Sequence, residues 1–168
     1  MLKTDKQLLF KEVMGNYPTG VTIVTTTSED GKPVGLTVNS FASVSLDPLM
    51  VLWCIDHKVS SFNDFIKSGQ FAVHILAGEQ QELCKTFASK GVDRFSKCHW
   101  AFSDKKLPII EGTFAVLQCK TYKTVEAGDH TILIGEVQEI QIDSNKDPML
   151  YHRRHFASIP PEFYTTKN

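Results

Sequence analysis

The chain has 168 residues, 42% of them hydrophobic, with a formal net charge of −1. That length suits one globular domain over residues 1–168, burying roughly 70% of the surface its unfolded chain exposes. Nothing in that near-neutral balance suggests a nucleic-acid or acidic-membrane partner.

In chain order, residues 1–16 read as an amphipathic helix with Leu8, Leu9, Val13 and Phe10 on its apolar side and Gly15-Asn16 as its stop. Lys3, Asp5, Lys6 and Lys11 break any apolar run there, and no stretch approaches ~18 apolar residues, so a soluble, cytoplasmic protein is expected. Residues 21–27 are almost wholly β-branched and predict a strand. Asp30-Gly31 supplies a hairpin turn and residues 34–38 return as the second strand. The continuous apolar run 49–55 predicts a strand buried on both faces. Ser60-Ser61 then caps a short helix through Asp64, Phe65 and Ile66 that ends at Gly69.

Residues 71–76 predict another strand. Residues 79–90 predict a helix with Leu83 and Phe87 on its inner face and Gly91 as its stop. Residues 93–108 read as irregular, and two long strands, 114–122 and 130–142, close the fold. In the last strand Leu133, Gly135 and Val137 share one face, after which the apolar positions switch to Ile140 and Ile142. Strand side chains alternate strictly, so the slip implies a bulge or bend. Pro160-Pro161 begins a polar tail over 160–168. Several strands with sparse short helices predict a mainly β small barrel with helical additions.

The most informative stretch is 35–48. Thr37, Asn39, Ser40, Ser43 and Ser45 are packed into it, with no charge before Asp47 and with apolar neighbours that read as buried. Neutral hydroxyls and amides at that density can cradle a phosphate together with backbone N–H groups. The same composition also suits a polar turn between strands. None of the ten glycines forms G-x-G, which excludes a Rossmann dehydrogenase. Cys54, Cys84, Cys98 and Cys119 contain no C-x-x-C pair, and Cys98-His99 lacks a second close ligand pair, so neither a disulfide framework nor a metal site is expected.

Six further segments occur in a telling order: Tyr17-Pro18-Thr19-Gly20-Val21-Thr22, Gly35-Leu36-Thr37-Val38-Asn39-Ser40-Phe41, Val44-Ser45-Leu46-Asp47-Pro48, Phe71-Ala72-Val73, Asp93-Arg94-Phe95, and Gly128-Asp129-His130 leading to Ile134-Gly135-Glu136-Val137. Pro148-Met149-Leu150-Tyr151 and Arg153 complete them. This ordered set resembles the short-chain NAD(P)H:flavin oxidoreductases, the reductase components of two-component flavin monooxygenases. The resemblance implies an FMN-binding split β-barrel of Greek-key type, FMN or else FAD as flavin, and NAD(P)H as co-substrate. It also implies a homodimer and a flavin-dependent monooxygenase as transient partner. The rival reading is an FMN-binding electron carrier that does not turn over NAD(P)H.

Carried over residue by residue, Thr37, Asn39, Ser40 and Ser43 would lie near the ribityl-phosphate, and Val44, Ser45 and Cys54 along the isoalloxazine edge. Cys54 reads equally as a small strand hydrophobe. Ser60 and Ser61 are N-cap residues first and phosphate contacts second. Lys90 and Arg94 offer cations, or else a solvated helix end and an Asp93–Arg94 surface pair. Phe95 would contact flavin or nucleotide, or plug the core. Tyr151 and Arg153 would serve the dinucleotide or flavin, with Arg154 competing for that role. His130 is the catalytic candidate, bonding the nicotinamide carboxamide or delivering a proton, its alternative being a strand-end histidine bonded to Asp129.

Overall fold

The computed structural model describes residues 3–165. Residues 1–2 of the expected N-terminal helix and 166–168 of the expected tail lie outside them. Helix α1 (Lys3–Asn16) leads into a hairpin of β1 (Thr22–Thr27) and β2 (Pro33–Val38), whose turn holds Gly31 at φ 80°. A second hairpin, β3 (Ala42–Leu46) and β4 (Leu49–Asp56), is followed by α2 (Phe62–Ser68), β5 (Gln70–Ile75) and α3 (Gln81–Ala88). Short strands β6 (Trp100–Phe102) and β7 (Pro108–Ile110) precede the long β8 (Ala115–Ala127) and β9 (His130–Ile142). A last hairpin pairs β10 (Met149–His152) with β11 (His155–Ser158).

Seven strands share an antiparallel sheet in the order β2-β1-β5-β8-β9-β4-β3. Its two edge strands, β2 and β3, are neighbours in sequence. The steps from Val38 to Ala42 reach at most about 14 Å, so the sheet must curl until its edges nearly meet. The result is an open, split β-barrel, mainly β with short helices, as predicted.

The barrel interior is aromatic. Trp53, Phe65 and Phe71 are fully buried, with Trp53 edge-on to Phe65 at 5.0 Å and to Phe71 at 5.8 Å. Gly135 makes room for them, because a Cβ there would stand 2.4 Å from Cζ of Phe71. A second cluster on the other side of β1 joins Ile23, Leu76, Cys84, Phe87, Phe95 and Ile110, and so holds α3 and β7 against the sheet.

The strand buried on both faces is β1, not β4. In β4 Val51, Trp53 and Ile55 point inward while Met50, Leu52 and Cys54 stay half-buried. In β1 the buried threonines satisfy their hydroxyls on carbonyls: Thr22 donates to Val38 at 2.9 Å, Thr25 to Pro108 at 2.7 Å and Thr26 to Gln70 at 2.8 Å. A β-branched side chain whose one polar atom is paired packs as a hydrophobe would. His74, also fully buried, bridges Ile23 O at 3.0 Å and Ile110 N–H at 3.1 Å. Its ring therefore carries the proton on Nδ1 and accepts on Nε2.

Other expectations need correction. Leu8, Leu9, Phe10 and Val13 of α1 are all exposed, since three consecutive apolar residues spread around a helix instead of forming one stripe. Ser61 precedes α2, but its hydroxyl makes no cap and is buried without a hydrogen-bond partner. Residues 93–108 are not irregular: they hold a 3₁₀ turn at Phe95–Lys97 and pair through β6 and β7. The inner face of α3 carries Phe87 and a half-buried Leu83 as expected, with Cys84 between them, but the helix spans only Gln81–Ala88 and ends at Ser89 before it reaches Gly91. The apolar neighbours of the polar segment divide, with Leu36 buried and Val38 and Phe41 packed against the barrel core, but Val44 and Leu46 exposed on edge strand β3. The predicted slip in β9 is present. Gln118 pairs with Glu139 and Cys119 with Val137, leaving Gln138 as the bulged residue.

Candidate functional site

Three cavities meet along β2. The largest, of 610 Å³, is lined by Thr37, Asp56, Lys58, Ser60, Lys90 and Arg94, and so lies between β2, the turn after β4 and the end of α3. Thr37 also lines a 220 Å³ cavity with Asn39, Cys84, Tyr151 and Phe156. Ser60 and Arg94 likewise line a third, of 340 Å³, with Ser61, Asp64 and Phe95. The Thr37 hydroxyl donates to Cys84 O at 2.7 Å, which fixes β2 to α3 where the first two cavities adjoin.

Cations outnumber free anions in the largest cavity. The Asp56 carboxylate already accepts the Lys58 N–H at 2.8 Å. Among the described residues, the side chains of Lys90 and Asn39 make no hydrogen bond or ion pair. Arg94 is committed to backbone carbonyls at Gly35 and Ser89, and Asp93 instead accepts the Ser96 N–H at 3.4 Å, so the expected Asp93–Arg94 pair does not form. Phe95 is a core residue, edge-on to Phe87 and Trp100 at 5.1 Å each, with part of its ring on the 340 Å³ cavity.

The polar segment divides. Thr37 and Asn39 face cavities. Ser40 accepts the Cys54 N–H at 2.9 Å and thereby ties residues 39–41 to β4. Burial raises the Cys54 thiol pKa, with the Ser40 bond opposing it, and burial pushes Cys84 to about 11. Ser43, Val44 and Ser45 ride on β3 and line none of these three cavities; Ser45 Oγ accepts the Asp47 N–H at 3.2 Å.

Tyr151 and Arg153 part company. Tyr151 pairs with Phe156 and faces the 220 Å³ cavity, whereas Arg153 lies with His152 and His155 around a separate 540 Å³ depression. Arg153 and Arg154 form the hairpin turn, with φ of 50° and 64°. His130 opens β9 opposite Asp56, next to the rim of the largest cavity but not in its lining. Its Nδ1 stands 2.7 Å from Asp129 Oδ1, and that bond lowers the Asp129 pKa. Sequence reasoning passed over Asp56, Lys58 and Cys84. The charged run after apolar β4 was the available signal for the first two, and the spacing from Phe87 for the third.

A curled antiparallel sheet with a groove beside one edge, lined by neutral donors and by a Lys90 that is unpaired among the described residues, defines a protein of the open β-barrel class. The chain belongs to the flavin reductase like domain family, whose model matches residues 14–160. It is 43% identical over 150 residues to a flavin reductase of Pseudomonas putida, covering 89% of this chain and 88% of that one. It is 43% identical over 128 residues to an FMN reductase (NADH) of Agrobacterium fabrum, covering 76% of this chain and 72% of that one. Among solved structures, nitrilotriacetate monooxygenase component B from Mycobacterium thermoresistibile superposes with a TM-score of 0.91 at 36% identity, over 99% of this chain and 94% of that one.

Proposed function

We propose that this chain is an NAD(P)H-dependent flavin reductase that supplies reduced flavin to an oxygenase. The observation that carries the reading is the 610 Å³ groove whose Lys90 ammonium has no partner among the described residues, with the Asn39 amide, likewise unpartnered among them, on the adjoining cavity. That donor set fits a phosphate monoester, because a cation and neutral donors are present while the one lining carboxylate, Asp56, is already engaged. FMN is the flavin that this set suits directly, with FAD its alternative; the similar A. fabrum protein is by its name an NADH-dependent FMN reductase.

When bound, the flavin supplies a hydride acceptor for the nicotinamide. Asn39, Ser60 and Lys90 would hold its phosphate, and Thr37 would wall the groove. Ser40 holds the 39–41 segment, while Ser43, Val44, Ser45 and Cys54 would lie toward the ring edge. Ser61 and Phe95 shape the floor behind Arg94. Tyr151 and Arg153 remain the candidates for the dinucleotide, on opposite faces of their hairpin. With Asp129 accepting from Nδ1–H of His130, Nε2 is left to bond the carboxamide or to pass a proton.

The test is anaerobic titration of the purified protein with FMN, then NADH or NADPH. Loss of the flavin's visible absorbance at catalytic protein concentration is expected. Flavin binding without bleaching by either nucleotide would make the chain an electron carrier instead.

We further propose a cytoplasmic homodimer. Exposed Leu8, Leu9, Phe10 and Val13 on α1, and Leu46 at 88% exposure on β3, are apolar surface that a second copy would cover. Four free cysteines suit a reducing compartment. Sedimentation at micromolar concentration should give twice the 18.9 kDa chain mass, and a stable monomer would remove the dimer. An oxygenase partner is supported by the name of the M. thermoresistibile relative, a monooxygenase component.

A further inference from the structure

Arg94 spans the groove wall. Its Nη1 donates to Gly35 O at 2.6 Å, while Nη2 and Nε reach Ser89 O at 2.7 and 3.2 Å. Gly35 lies within β2, and Ser89 is the residue on which α3 ends. A single guanidinium thus joins the sheet to the helix end.

The next residue reinforces the junction. A Cβ on Gly35 would stand 2.8 Å from Phe87 and 3.2 Å from Phe95, so both rings seat on the bare Cα of that glycine. Between Ser89 and Arg94 the chain turns through Gly91 at φ 68°, and this short loop carries Lys90. Arg94 is bonded both to β2 and to the Ser89 carbonyl, so the loop is closed at its two ends by one side chain and its Ser89 end is tied to β2 through that guanidinium.

We propose that Arg94 is a positioning residue: it clamps the 89–94 loop onto β2 and thereby holds Lys90 where a flavin phosphate would bind. This rests on the flavin reading above. Arginine suits the task because its planar fork can bridge two carbonyls at once, which a lysine ammonium on a flexible stem does not do in the same way. Three of its five N–H groups are spent on those carbonyls, so its main role lies in the protein and not on the ligand.

FMN and riboflavin differ only by the phosphate, so the ratio of their affinities isolates it. Fluorescence titrations of both ligands, with thermal melts, would be made on the wild type, Lys90→Ala, Arg94→Gln, Arg94→Lys and the Lys90→Ala/Arg94→Gln double variant. Lys90→Ala should weaken FMN about five- to tenfold and leave riboflavin unchanged. Arg94→Gln should lower the FMN-to-riboflavin ratio by a similar factor. Arg94→Lys, which keeps the charge, should lower it too, and it carries the test if Arg94→Gln does not fold. The double variant should show no further fall beyond Lys90→Ala alone.

Additive losses would make Arg94 a direct phosphate ligand and overturn the proposal. So would an unchanged ratio in the Arg94 variants, an equal loss for both flavins, or a Lys90→Ala ratio equal to the wild type's. An adverse result in the Arg94 variants with intact wild-type flavin binding leaves the reductase reading standing, whereas an unchanged Lys90→Ala ratio also removes the phosphate site on which that reading rests. A wild type that binds neither flavin overturns both.

Discussion

The Thr37 hydroxyl and the Cys84 carbonyl are 2.7 Å apart and form the one side-chain bond between β2 and α3 among the described residues. Thr37→Val keeps the shape and removes the donor. We expect a loss of about 1 kcal/mol, seen as a lower urea midpoint at unchanged slope, with Thr37→Ser close to wild type. Equal behaviour of the valine and serine variants would mean that the bond contributes nothing.

Asn39 faces a cavity while Ser43 sits on the exposed edge strand, so their substitutions should separate. Asn39→Ala should weaken FMN by about 0.5–1.5 kcal/mol, several-fold in the dissociation constant, and Ser43→Ala by much less. Equilibrium titration decides this; a larger loss in the serine variant would put the phosphate near β3.

His130 should govern hydride transfer more than flavin affinity. His130→Ala removes the group that Asp129 orients at 2.7 Å. A fall in kcat/KM for NAD(P)H of about five- to hundredfold, or 1–3 kcal/mol, is expected, with little change in FMN affinity. Asp129→Asn should lower the rate less. Stopped-flow bleaching at wild-type rate in His130→Ala would leave the histidine a strand-end residue.

His74 makes stability depend on acid. Burial lowers its pKa to about 4 from an ordinary 6.5, against the opposing bond to Ile23. The unfolded chain binds the proton first, so this group costs the fold nothing above about pH 6.5. Stability then falls as pH drops, and the loss is complete below about pH 4 at about 3 kcal/mol. Urea unfolding of wild type and His74→Gln across that window should show a shallower pH slope in the variant. Parallel slopes would deny the histidine this role.

Gly135 should not tolerate a methyl group. An alanine Cβ would meet Phe71 at 2.4 Å and Cys119 Cβ at 2.9 Å, and the Phe71 ring is already packed against Trp53. Overpacking of about 1–3 kcal/mol is expected for Gly135→Ala, partly relieved by Phe71→Leu in the same chain. Additive destabilisation in the double variant would point to backbone strain instead.

Local rules were enough for the β1–β2 hairpin, the Gly69 stop and the bulge in β9, because β-branching, left-handed glycines and strict alternation leave their mark within a few residues, whereas α3 already ends at Ser89, short of the predicted stop at Gly91. They failed where burial depends on distant partners. The β6–β7 hairpin is held by Thr25, Thr27, Gln70 and His74, which reach it across 35 to 83 residues of sequence. No local pattern announces such bonds, and a threonine-rich strand reads as an edge before its hydroxyls are seen to be paired. The site followed the same division. Thr37 and Asn39 could be read from their density of donors, but β3 carries Ser43 and Ser45 away. The backbone attachment of Arg94 shows only once Gly35 is beside it.

The place of residues 39–41 between the two sheet edges bears on how the chain folds. Neighbours in sequence, β2 and β3 are the farthest apart in the pairing order, with five strands between them. No short-range zippering can bring them together, so the loop finds its geometry only after the intervening pairings exist, a high-contact-order route that is intrinsically slow. A partly assembled chain therefore has strands but no groove. Ligand binding is then linked to global and not local unfolding, and a flavin at a hundred times its dissociation constant would add about 2.7 kcal/mol to the stability of the whole barrel. Amide exchange in β5 and β8, far from the groove, would slow with flavin as much as exchange in β2.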